Sequence, residues 1–191
     1  MSTARVVLGV AGASGAALGL SVARQLSDMQ VEIDLVTSAA AERTLAAECG
    51  AQAFATLQAL ATRCHAIDDI GASIASGSVP VAGMIVAPCS MRSLAAIAHG
   101  LDDNLLIRAA GVQLKERRPL TLLTLLTREA PLTLAHLRNM TAATELGAVI
   151  LPPVPAFYLK PRNVADIVDQ IAARAIDMLK LSKSVAQQWM P

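Results

Sequence analysis

The chain has 191 residues, a formal net charge of +1, and 54% hydrophobic, 16% charged and 2% aromatic residues. That length suits one domain with one sizeable core, and the near-neutral charge excludes the basic field of a nucleic-acid-binding surface. Charged residues fall well short of the roughly 25% of an ordinary soluble domain, which points to surface buried between copies of the same chain.

Met1–Arg5 carries no signal-peptide pattern and leads into Arg5–Val10, an apolar run that reads as a buried strand. Gly12–Gly15 is a glycine-rich turn, Ala16–Leu26 an amphipathic helix and Val31–Thr37 a second strand. Ser38 is expected to cap a helix that ends near Cys49-Gly50. Met84–Ala87 is a third strand, followed by a turn at Pro88-Cys89-Ser90 and a helix through Ala98. Asn104–Arg117 reads as helix. Leu120–Thr127 and Ala148–Leu151 read as strands separated by a helix over Leu132–Glu145, and Val164–Leu181 forms the last helix. No stretch reaches the ~18 uninterrupted apolar residues of a membrane span: Val79–Cys89 is broken by Pro80, Gly83 and Pro88, and Leu120–Leu126 is interleaved with threonines. The reading is a cytoplasmic homo-oligomer.

Strands alternating with helices predict an α/β fold, a parallel sheet covered by helices on both faces. No repeat or linker divides the chain, so residues 1–191 are expected to form one domain, with 182–191 as an oligomerisation tail. Cys49, Cys64 and Cys89 have no metal-ligand spacing and are odd in number; His65, His99 and His136 are scattered. The cysteines make neither a metal motif nor a disulfide framework, and the three histidines read as structural or surface residues.

Ligands of such sheets bind where loops leave the carboxyl ends of the strands. Three of those loops carry a serine at an expected helix start: Ser14, Ser38 and Ser90. One alone would read as an N-cap. Three at one edge, beside helix N-termini with free N–H groups, point to a nucleotide or flavin. The turn from Gly9 to Gly15 has neither the GxGxxG spacing nor a Walker lysine, which steers away from NAD and from ATP hydrolysis.

Several segments, in order over nearly the whole chain, resemble the UbiX-like flavin prenyltransferase family. They are Gly12-Ala13-Ser14-Gly15-Ala16; Ser38-Ala39-Ala40 with Glu48; Ser76-Gly77-Ser78; Ala87-Pro88-Cys89-Ser90 with Ser93-Leu94; Asn104-Leu105 with Arg108-Ala109-Ala110 and Leu114 to Leu120; Arg128-Glu129-Ala130-Pro131-Leu132 with His136 to Met140; and Gly147 to Pro153 with Pro155-Ala156-Phe157-Tyr158. The resemblance implies a Rossmann-like or flavodoxin-like three-layer fold, a large homo-oligomer, often a dodecamer, and no metal. It implies transfer of a dimethylallyl group from dimethylallyl phosphate to N5 and C6 of reduced FMN. The resulting prenylated FMN would serve UbiD-type decarboxylases. Whether the donor is a monophosphate or a diphosphate stays open.

The same resemblance assigns roles. Gly12, Ala13, Ser14, Ser38, Ser90, Met91, Arg92, Ser93 and Arg128 would hold FMN. Ser14, near N5, would relay a proton, Glu48 and Glu129 would handle protons or the carbocation, and Arg108, Lys115, Tyr158 and Arg174 would bind the prenyl donor. Cations around a departing phosphate lower the barrier. Read by position alone, Arg108 and Lys115 fit one solvated helix face, Arg174 a surface residue and Glu48 a helix end. Tyr158 is the chain's one tyrosine, in a proline-bounded loop, and Trp189 reads as a packing or inter-subunit residue.

Some positions depart from the family pattern. Leu120–Thr127 holds about three extra residues before Arg128; an odd insertion in a strand would reverse its faces, so the turn before the strand is expected to absorb it. Gly111 stands where an Asp is common, Leu159 for a His, and Ala39 for a Lys. Two alternatives follow: a diverged paralogue that binds FMN without prenyl transfer, as a noncatalytic decarboxylase-associated subunit, and a flavin-dependent cysteine decarboxylase. The latter needs an early histidine, and the first here is His65.

Overall fold

The computed structural model describes residues 4–124, 129–181 and 184–189. Strands β1 (Arg5–Val10), β2 (Glu32–Thr37), β3 (Arg63–His65), β4 (Gly83–Cys89), β5 (Leu120–Thr124) and β6 (Val149–Ile150) form one parallel sheet in the order β3-β2-β1-β4-β5-β6. The chain winds one way from β1 and then the other, which leaves a crevice at the switch between β1 and β4. Helices α1 (Ala16–Asp28), α2 (Ala41–Cys49), α3 (Ala53–Leu60), α4 (Met91–Ala98), α5 (Leu105–Lys115), α6 (Leu134–Glu145) and α7 (Val164–Asp177) complete the α/β layers.

Side chains alternate across each strand, so the same apolar runs build two cores. Val6, Leu8, Val10, Ile33 and Leu35 meet Leu18, Val22 and Leu26 of α1 and Ile171, Ala172 and Ile176 of α7. Val7, Val36, Met84, Val86 and Leu122 meet Leu94 and Ile97 of α4 and Leu105 and Leu106 of α5. Each fully buried leucine of this kind contributes about 1.5–3 kcal/mol.

Asp34 interrupts this apolar pattern at 0% exposure on β2. Arg5 of β1 donates through Nε and, at 2.8 Å, through Nη2; His65 of β3 lies 2.7 Å away. Burial would push the carboxyl up, but donation from Arg5 and then His65 holds it below the usual carboxylate range. One side chain thus ties three adjacent strands at the weak edge of the sheet.

Three differences from the sequence reading have local causes. β3 and α3 were not anticipated: Arg63-Cys64-His65 has no apolar alternation, and two of its residues are exposed. Its strand geometry comes from pairing with β2, Asp34 opposite Arg63 and Val36 opposite His65. The last helix stops at Asp177, not Leu181, and Lys180 turns the chain at a φ of 54°. β5 pairs with β4 from Leu120 onward, and the Met84 N–H bonds the Pro119 carbonyl at 2.9 Å. The strand therefore begins directly after Pro119. The rest of the expected strand and Arg128 lie outside the described residues.

Candidate active site

Loops from three neighbouring strands meet at the switch point. The Ser38 N–H bonds Val10 O at 2.9 Å, and the Ala11 N–H bonds Pro88 O at 3.1 Å. This stitching brings Ser14, Ser38 and Ser90 to one edge. A Cβ on Gly12 would lie 2.3 Å from the Ala40 Cβ, so only glycine lets the first loop rest on the second. Gly15 turns the chain into α1 at a φ of 94°, a conformation that glycine adopts at little cost.

The edge is rich in unused donors. Among the described residues, the backbone N–H groups of Gly12, Ala13 and Ser14 find no acceptor, nor do those of Met91 and Arg92 opening α4. The Ser38 Oγ is buried without a partner. Buried polar atoms are rarely left unpaired in a finished site. Open amides beside an orphaned hydroxyl fit the phosphate and the polar ring edges of FMN.

The capping pattern differs from the sequence reading. Of the three serines, only Ser90 caps a helix: its Oγ accepts from the Ser93 N–H at 3.1 Å and donates to the Ser93 Oγ at 3.0 Å. The caps of α1 and α2 are Gly15 and Ala40, without side-chain bonds, so Ser14 and Ser38 are not used as caps. At α1 the work passes to Glu48, whose Oε2 accepts the N–H groups of Gly15 and Ala16 at 2.8 and 2.9 Å. A carboxylate is favoured at a helix N-terminus. Glu48 thereby fixes the loop that carries Ser14, a positioning role that the sequence did not reveal.

Most of the remaining site candidates lie away from this edge. Arg92 pairs with Asp103, and Met91 is half-buried against the core. Glu129 is half-buried in the bend between β5 and α6, and Arg128 lies outside the described residues. Arg108 and Lys115 line a cavity of about 630 Å³ along α5, with Ser76, Gly77 and Asp102. Lys115 lies four residues before Pro119, which bonds the start of β4. It sits a strand length, roughly 20 Å, from the serine edge. Arg108 keeps a buried, unpartnered Nε, and its Nη1 is 3.6 Å from Asp102 Oδ2. A Cβ at Gly111 would lie 3.3 Å from Asp102 Oδ1, so the missing side chain leaves room for Asp102 beside Arg108. A carboxylate thus stands near position 111 although residue 111 does not supply it.

Tyr158 and Arg174 line another cavity, of about 650 Å³, with Leu151, Lys180 and Trp189. The rings of Tyr158 and Trp189 meet edge to face at 5.1 Å. Two scarce aromatics at the ends of separate segments were the only sequence signal for this wall. Cys89 is fully buried and its thiol is pushed up to about 12, which leaves it unreactive. Among the described residues, no three His, Cys, Asp or Glu side chains are grouped to hold a metal ion, and no helix is long and apolar enough to cross a membrane.

The sequence matches the Flavoprotein family over residues 1–176. Flavin prenyltransferase UbiX of Thauera aromatica is 50% identical over 185 residues, spanning 97% of this chain and 93% of that protein. The chain belongs to the UbiX-like flavin prenyltransferases. Among solved UbiX-like structures, that of AnUbiX (PadA1) in complex with FMN and dimethylallyl pyrophosphate superposes with a TM-score of 0.93 at 43% identity, covering 100% of this chain and 99% of that one. The dodecameric FMN-dependent UbiX-like decarboxylase of Escherichia coli O157:H7 gives 0.90 at 41% identity, covering 98% and 100%. In open parallel sheets ligands bind outside the carboxyl ends of the strands, and here that edge holds the open amides and the orphaned Ser38 hydroxyl.

Proposed function

We propose that the protein joins a dimethylallyl group from dimethylallyl phosphate to reduced FMN, as a single flavin-binding domain over residues 1–191. Family membership at 50% identity carries this reading, and the donor-rich edge fits the flavin. Reduced FMN supplies the electron-rich ring that accepts the prenyl carbon. The donor's carbon–oxygen bond would break and phosphate would leave with the electron pair as N5 bonds that carbon and gives up its proton. The alkene would then take up a proton, and C6 would bond its other end and lose its own proton, closing a fourth ring.

The chain's own groups divide the remaining work. The amides of Gly12, Ala13, Met91 and Arg92, with Ser38, Ser90, Ser93 and Arg128, bind and orient FMN. Glu48 holds the loop that presents Ser14, and Ser14 and Glu129 move protons. Arg108, Lys115, Tyr158 and Arg174 take the donor's phosphate, and fixed cations there favour its departure. Since Lys115 lies across the sheet from its own serine edge, a neighbouring copy in a homo-oligomer, a dodecamer as in the Escherichia coli relative, supplies the α5 face. Free Cys49, Cys64 and Cys89 suit the reducing cytoplasm. The prenylated flavin passes to a UbiD-type decarboxylase.

The test is anaerobic incubation of the protein with reduced FMN and dimethylallyl phosphate, followed by mass spectrometry of the flavin. A flavin heavier by one prenyl unit is expected. Bound but unmodified FMN, with either the monophosphate or the diphosphate donor, would overturn prenyl transfer.

A further inference from the structure

The segment Ser184–Trp189 folds back along α7 and is fastened at two points. Asp177, the last residue of α7, accepts from the Ser184 Oγ at 2.7 Å and from the N–H groups of Val185 at 2.6 Å and Ala186 at 3.3 Å. Gln170 and Gln187 bond reciprocally: Gln170 Nε2 donates to the Gln187 carbonyl at 3.0 Å, and the Gln187 N–H donates to Gln170 Oε1 at 3.0 Å. A carboxylate is disfavoured at a helix C-terminus. Its presence at Asp177 is accounted for by the tail amides it binds.

Residues 170, 174 and 177 are spaced i, i+4 and i+7, so they share one face of α7. The two fastenings therefore bracket Arg174. Past the second of them the strap delivers Trp189 edge-on to Tyr158. Strap and helix together line an open cavity of about 650 Å³ that holds Arg174 and Lys180 beside this aromatic pair. Cations next to an aromatic wall suit a phosphate ester with a short hydrocarbon chain.

We propose that Asp177 and Gln170 are positioning residues for the prenyl donor, holding the strap so that Trp189 and Tyr158 form the wall against its hydrocarbon chain. The inference rests on the reading that this cavity takes the donor.

Trp189 is the chain's one tryptophan, so its time-resolved fluorescence anisotropy reports the strap directly. In full-length Asp177→Ala and Gln170→Ala variants, a fast local depolarisation absent from the unaltered protein is expected. The KM for dimethylallyl phosphate should rise about tenfold, with the KM for FMN within twofold of its original value, because ordering of the wall is lost and not flavin contact. Asp177→Asn, which keeps an acceptor for the tail amides, should restore much of both signals. Unchanged Trp189 mobility in the alanine variants would overturn the fastening. A freed Trp189 with an unchanged donor KM would overturn the positioning role. If the unaltered protein turns nothing over, the functional reading fails. The Kd of dimethylallyl phosphate, read from Trp189 emission, then decides the strap: weakening about tenfold in Asp177→Ala supports it and equal affinity sinks it.

Discussion

Removal of the Glu48 carboxylate separates a positioning role from a catalytic one. Its Oε2 accepts two N–H groups at the start of α1, at 2.8 and 2.9 Å, and these have no other acceptor. Hydrogen bonds to a charged group contribute about 1.5–3 kcal/mol each when buried. Glu48 is exposed, so solvent screening brings the pair down to about 1–2 kcal/mol, close to the value of a lost N-cap. Glu48→Ala should lower the Tm by about 3–6 °C at a fixed protein concentration. It should also weaken FMN binding several-fold, because the loop with Gly12, Ala13 and Ser14 is no longer held. Glu48→Gln keeps an uncharged acceptor; about half the stability loss and a kcat within roughly threefold of the original are expected. Thermal denaturation, FMN titration and single-turnover transfer measured on both variants decide the matter. A Gln variant with unchanged Tm and FMN affinity but turnover down ~100-fold would refute the positioning role and return Glu48 to proton transfer.

Four further outcomes follow from the geometry. Asp34→Ala should destabilise the protein by about 3 kcal/mol, since it strands Arg5 and His65 beside a buried site. The wild-type Asp34 carboxyl is lowered in the fold, so its contribution is full above the unfolded value near ~3.9 and fades as pH falls through the folded value; the denaturation midpoints of wild type and Asp34→Asn should differ at neutral pH and converge as pH falls below about 4. Ser38→Ala should weaken FMN about tenfold while leaving the Tm unchanged or slightly raised, because its Oγ has no partner in the fold; a clear fall in Tm would place that hydroxyl in the scaffold. Gly111→Asp should raise the donor KM by crowding Asp102, and adding Asp102→Asn should reverse most of that loss in steady-state assays; failure of the second change to help would dissociate position 111 from Arg108. Finally, co-assembly of inactive Lys115→Ala and Glu129→Gln chains should recover about one quarter of the wild-type rate if each site joins two copies, whereas a mixture as inactive as its components would confine the site to one chain.

Much of the fold was legible because it is written in short-range patterns. Apolar runs bounded by glycine and serine fixed β1, β2 and β4, and the alternation of strands with helices dictated a parallel sheet. The switch-point serines could be grouped for the same reason: loops that follow parallel strands leave at one edge. β3 could not be read, since its strand geometry comes from its neighbour and not from Arg63-Cys64-His65 itself.

The site was less legible, because side-chain partners are chosen in three dimensions. Sequence alone determined that the sheet is parallel, the serine edge and the family to which the chain belongs. It did not determine that Glu48, over thirty residues away, would take the helix amides and leave Ser14 uncommitted. Nor did it determine that Asp102 would occupy the space beside Gly111, or that the tail would return along α7 to set Trp189 on Tyr158. Local spacing fixes backbone geometry through short-range sterics and apolar periodicity. A carboxylate, an amide and an aromatic ring take their partners from the tertiary fold, where burial and direction select one acceptor among many.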